Sequence, residues 1–140
     1  MQEDKEPLFD TVDTLKICLD FYARMIPNIK INKEKMQDSC SKGFMNATDL
    51  ADYLTVKGVL FRESHALSGK LVAYALENKK ELQDLSLTEF RKFSDLIEDD
   101  LFEYLTLESM IKRRKSYGGT SYDNVKSQIV KAFDELNNIE

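Results

Sequence analysis

The feature that most constrains this fold is a helix too apolar to stand alone. Leu8, Val12, Leu15, Leu19, Tyr22 and Ile26 follow one another at intervals of four, three, four, three and four residues. That is a heptad seam with a period of about 3.5. Phe9, Ile17, Cys18, Phe21 and Met25 carry the apolar surface beyond the seam, and Asp13, Lys16, Asp20 and Arg24 leave only a narrow charged stripe. Each large apolar side chain kept in water forgoes about 1.5–3 kcal/mol of burial as an upper estimate. The segment is therefore expected in a helical bundle or an oligomer interface.

Pro27 and Asn28 end this helix, and Ile29 to Asn32 reads as a short extended connector. Residues 33–41 give a weakly amphipathic helical turn or two. Asn46 is placed to cap the next helix, with Asp49 as an acid in its first turn, Ala47, Leu50, Ala51 and Leu54 facing inward, and Gly58 as the left-handed terminator. Residues 61–78 predict a further helix. Its small residues Ala66, Gly69, Val72, Ala73 and Leu76 form a face expected to admit a neighbouring helix closely, with Leu67, Leu71 and Tyr74 on an adjacent strip.

Ser86 or Thr88 caps a short helix containing Phe90 and Phe93, and residues 98–106 continue as helix. After the Gly118-Gly119 break, Thr120 with Asp123 three residues on is expected to cap a last helix carrying Val125, Ile129, Ala132, Phe133 and Leu136. The fold class is all-α: one long bundle helix followed by a compact, small C-terminal helical domain. Residues 1–28 are expected to be the terminal part of a bundle domain and 29–140 the C-terminal domain.

A formal net charge of -5 over 140 residues argues against nucleic acid or an anionic membrane as a partner held by overall charge. The basic run 112–115 lies at a helix end, where cations complement the dipole, so it reads as a solvated cap rather than a phosphate patch. Cys18 and Cys40 have no CxxC spacing and suit a reducing cytosol as free thiols. There is no apolar run of spanning length and no basic-then-apolar leader. A cytoplasmic location is expected, and no His/Cys metal site, because the single histidine and unclustered cysteines offer no ligand set.

Candidate chemistry is sparse. His65 could serve as a base, but no partner for it is evident, and a packed or hydrogen-bonded histidine is the plainer reading. Asp49 and Asp52, three apart, could be mistaken for paired carboxylates; Asp49 is better explained as a capping-region acid and Asp52 as a polar-face residue. Gly118-Gly119-Thr120 lacks a Walker lysine and a preceding strand, so a turn suffices. Gln2 and Lys5, three apart, would project an amide and an ammonium from one helical face, a pair suited to a carboxylate-bearing ligand. A solvated, charged N-terminus before Pro7 accounts for the same letters.

The order and spacing of several blocks bear on that choice. Gln2-Glu-Asp-Lys-Glu-Pro-Leu-Phe-Asp10 is followed by Ala47-Thr-Asp-Leu-Ala-Asp-Tyr-Leu54, Lys57-Gly58-Val59, Phe61-Arg62-Glu63, His65 and Ser116-Tyr-Gly-Gly-Thr120. Over essentially all 140 residues the chain resembles the C-terminal part of the argininosuccinate lyase family. Leu60 departs from the pattern, since many relatives carry Pro before the Phe; this should affect the loop more than the chemistry.

The resemblance implies an enzyme that cleaves argininosuccinate to arginine and fumarate by β-elimination, without an organic cofactor. It implies Gln2 and Lys5 as substrate-binding residues, with Lys5 pairing a substrate carboxylate and Gln2 orienting the ligand. It also implies a homotetramer whose active sites form where segments of different subunits meet around a central bundle. The family's serine base lies on a Gly-Ser-Ser-type loop upstream of the Gln-Glu-Asp-Lys block, and these 140 residues contain neither that loop nor the Pro-x-Lys-x-Asn segment after it. The family's catalytic histidine also belongs to an earlier segment, so His65 does not inherit that role. These residues are thus expected to be a C-terminal fragment, inactive alone, with no catalytic residue of their own. The alternatives are a non-catalytic, crystallin-like or helical oligomerisation module and a related lyase acting on adenylosuccinate.

Overall fold

The computed structural model describes residues 3–138, and among them every regular element is helical. The all-α class predicted from periodicity holds. The chain divides into two compact units, Met1–Met36 and Gln37–Glu140.

The first unit is built on α1, Lys5–Met25. Pro7 sits within the first turn, where its missing N–H removes no intrahelical bond. The Thr11 hydroxyl donates to the Pro7 carbonyl at 2.7 Å, and Arg24 pairs with Asp20 one turn back at 3.1 Å. Pro27 converts the end into a 3-10 turn, Ile26–Asn28, and the Asn28 amide donates to the Arg24 carbonyl at 2.8 Å. Ile29 is extended, as the connector requires, and Lys33–Cys40 forms α2. None of α1's residues is buried: Leu15 on the seam is 56% exposed and Phe21 on the opposite face 62%.

The second unit holds the core. Helices α3, Ala47–Val56, and α4, Phe61–Glu77, form a hairpin. Gly58, at φ +99, makes the turn, and Val59 N–H returns to the Leu54 carbonyl at 3.0 Å in a Schellman-type closure. Against the hairpin pack the 3-10 turn Leu82–Asp84, α5 Leu87–Arg91 and α6 Asp100–Tyr104. Tyr53, Leu50, Leu54, Leu71, Leu82, Phe90, Ile97 and Leu101 are all essentially inaccessible to water. Then come α7, Leu107–Arg113, and α8, Tyr122–Asn137, the latter with no buried residue.

Three local expectations are corrected. The α4 face turned inward is Ser64, Ser68, Leu71 and Ala75, while Ala66, Gly69, Ala73 and Leu76 are exposed. The inward serines satisfy themselves locally: the Ser68 hydroxyl donates to the Ala47 carbonyl at 2.6 Å, and the Thr55 hydroxyl donates to Ser64 Oγ at 3.1 Å. Small residues do bring two helices together, but these are the serines and Ala75. Asn46 precedes α3 without a side-chain cap bond, and α8 is capped by Ser121 rather than Thr120, its Oγ accepting from Asn124 N–H. Ser86, by contrast, forms the full capping box with Glu89 on α5.

Candidate functional site

Lys5 is the first residue of α1 and is exposed, as are Glu3 and Asp4 before it. A cation at a helix start is disfavoured by the dipole, and exposure to water screens it there. Gln2 lies outside the described residues.

His65 is on the outer surface of α4, exposed rather than packed. With Thr48, Ser68, Gly69 and Val72 it lines a shallow cleft of about 170 Å³. Further clefts of the second unit are one of about 130 Å³ beside Cys40 and Met110, one of about 170 Å³ over Phe90 and Phe102, and one of about 230 Å³ beside Glu103 and Lys112. A drug-sized ligand needs roughly 300 Å³ or more of enclosed space. Among the described residues no three His, Cys, Asp or Glu side chains gather as a metal site, and no helix is long and apolar enough to cross a membrane. Cys18 is an exposed free thiol, and Cys40 is half-buried.

The strongest electrostatic organisation lies elsewhere. Asp49, almost wholly buried on α3, receives Arg113 Nη2 on one oxygen at 3.0 Å and Arg114 Nη2 on the other at 2.7 Å. The Arg113 guanidinium lies 3.5 Å from the centroid of Tyr104 and donates to the Tyr104 carbonyl at 2.9 Å. Asp49 is therefore both an acid in the first turn of α3 and a tertiary ion-pair centre, and Asp52 is 3.8 Å from Arg114. The basic run is correspondingly not merely a solvated cap. Partners 64 and 65 residues apart leave no local spacing signal, which is why sequence reading missed them.

A second cluster joins α3 to the start of α6. The Tyr53 hydroxyl donates to Asp100 and accepts from the Glu98 N–H at 3.1 Å, while Lys57 pairs with both Glu98 and Asp100. Burial and the Asp100 contact push the Tyr53 hydroxyl above its usual range; the Tyr53 bond and Lys57 hold Asp100 below its own. Glu98 and Asp100 together raise the Lys57 ammonium well above normal. In a third, Lys80 meets Glu89 at 2.8 Å, and this bond with the Ser86 N–H and hydroxyl lowers the Glu89 carboxyl to about 2. In all three clusters the charges are paired within the second unit. They tie helices together and offer no free nucleophile and base in mutual reach.

The fold and its charge pairs thus define an all-helical chain whose second unit has its own hydrophobic core. Residues 44–112 match the family model described as argininosuccinate lyase C-terminal. The argininosuccinate lyase of Desulfatibacillum aliphaticivorans is 52% identical over 136 residues, covering 97% of this chain and 29% of that protein. Those of Alcanivorax borkumensis and Caldicellulosiruptor bescii are 51% and 45% identical over 137 and 140 residues, again about 30% of each relative. The chain belongs to the argininosuccinate lyase family and spans a little under a third of the length of the curated relatives it matches.

Proposed function

We propose that the complete protein cleaves argininosuccinate to arginine and fumarate in arginine biosynthesis, and that this chain is its C-terminal part. The supporting observation is identity near 50% to argininosuccinate lyases across nearly the whole chain. In the elimination, a base removes the proton on the carbon beside a carboxylate, and the carbon–nitrogen bond breaks. Its electron pair leaves with the guanidino nitrogen, which takes up a proton. In this reading Lys5 pairs a substrate carboxylate and Gln2 orients the ligand, both at the edge of a site completed by upstream segments and by neighbouring subunits. Residues 1–28 belong to the central bundle of a cytoplasmic homotetramer and 29–140 to the C-terminal domain. The exposed faces of α1 favour that assembly.

The same faces support a second reading, a non-catalytic oligomerisation module of crystallin type. Fumarate release from argininosuccinate, followed by ultraviolet absorbance, separates the two when run on the 140-residue chain and on the complete gene product. Activity in the complete product alone is the expected result. Activity in neither favours the module, and activity in the 140 residues alone overturns the placement of the chemistry upstream.

A further inference from the structure

The packed core of the second unit ends at Leu101, with Tyr104 and Leu105 against its edge, yet α8 begins only at Tyr122. Val125, Ile129, Phe133 and Leu136 on α8 are each about half exposed. Their burial therefore cannot fix where the helix points. Its direction must be set by the segment that launches it, and that segment is organised around one residue.

Arg114 acts at two ends. Its guanidinium is held on α3 by Asp49 at 2.7 Å and lies 3.8 Å from Asp52. Its carbonyl accepts the Ser121 N–H at 3.2 Å and the Asn124 amide at 3.5 Å, and the same Asn124 amide donates to the Ser116 carbonyl at 2.7 Å. Ser121 is itself buried and caps α8. The chain between closes tightly enough that a Cβ on Gly119 would stand 2.3 Å from the Arg114 carbonyl oxygen. Gly119 is thus fixed by the space around that carbonyl, and Gly118, at φ +76, supplies the reversal before it.

We propose that Arg114 is a two-ended clamp that transmits the position of α3 to α8, so that α8 presents its apolar face at a fixed angle to the α3–α4 hairpin. Arg113 shares Asp49 but directs its second bond to the Tyr104 carbonyl, so it braces the core edge and not the loop. The carboxylate can therefore lose Arg114 without being left unpaired. This is what makes the clamp separable from the fold.

The test is residue-resolved amide hydrogen exchange on the full 140-residue chain, comparing Arg114→Ala and Gly119→Ala with the parent. The first variant cuts the side-chain end and the second disturbs the carbonyl end without touching an ion pair. Both are expected to speed exchange at Ser121, Asn124 and Val125 by at least about tenfold, with Leu54, Leu71 and Leu101 unchanged. Arg114→Lys, which keeps charge but not the planar donor, is expected to fall between. Unchanged protection at 121–125 in Arg114→Ala overturns the clamp. So does a loss spread equally over the core, which would make Arg114 a general stabiliser.

Discussion

Helices α1 and α4 are alike in length and both carry apolar residues at helical spacing, yet one buries nothing and the other supplies the centre of a core. Helix α4 turns one side inward, Ser64, Ser68, Leu71 and Ala75 with Leu67, Val72 and Tyr74 partly buried beside them, and closes its polar groups on α3. Helix α1 has two apolar faces, Leu8, Val12, Leu15 and Leu19 on one side and Ile17, Phe21 and Met25 on the other, all exposed. A single-faced helix can be satisfied by one neighbour within its own unit; a two-faced helix needs neighbours on more than one side. The contrast separates a helix that helps build a core from one with no buried residue.

The sharpest way to test that contrast is at the core. Phe90, fully buried among the helices of the second unit, is expected to cost about 3–5 kcal/mol when changed to Ala. Denaturant unfolding of the 140-residue chain measures this, and a loss below about 1 kcal/mol would mean that the core is not what holds the unit together. Next comes Asp49→Asn, which removes charge from a buried centre serving two arginines. A loss of about 1.5–3 kcal/mol is expected for charge-assisted bonds of this kind, because both guanidinium groups retain partial access to water.

Smaller effects follow at α5. Ser86→Ala removes a formed cap and should lower stability by about 1 kcal/mol in the same measurement. The Glu89 carboxyl, lowered to about 2 by Lys80 and Ser86, gives a pH dependence of definite sign. A depressed carboxyl binds more protons in the unfolded state, so its contribution is full above the ordinary carboxylate range and is lost as pH falls from there toward about 2. Glu89→Gln should flatten that part of the stability profile, and an unchanged slope would show that the pair does not matter in solution.

How much of this was legible depended on the range of the interactions. The 3.5-residue seam of α1, the Ser86 box and the Gly58 terminator are written within one or two turns, and each was readable. The inward face of α4 was misjudged because small exposed residues and small buried ones look alike in a one-dimensional pattern. Only the hydrogen bonds of Ser64 and Ser68 to α3 show which side is closed. Asp49 with Arg113 and Arg114, and Tyr53 with Asp100, join residues tens of positions apart and follow no periodicity. The candidate substrate residues were legible only through family resemblance, since Lys5 lies exposed at a helix start without a feature that marks a site.

The smallest expected effect bears most directly on the comparison. Leu15 and Phe21 lie on opposite faces of α1, and each is more than half exposed. Lysine is a good helix former, so Leu15→Lys and Phe21→Lys should leave α1 helical and shift unfolding of the second unit by no more than about 0.5 kcal/mol. The same changes put a charge into whatever α1 buries on assembly, where an unpaired ammonium is strongly disfavoured. Sedimentation should therefore show weaker self-association for both variants, each face acting independently if both meet neighbours. If only Leu15→Lys weakened it, α1 would be a one-seam helix and the second face would need another explanation. If either change destabilised the second unit by more than about 1 kcal/mol, the division between module and assembly helix would fail.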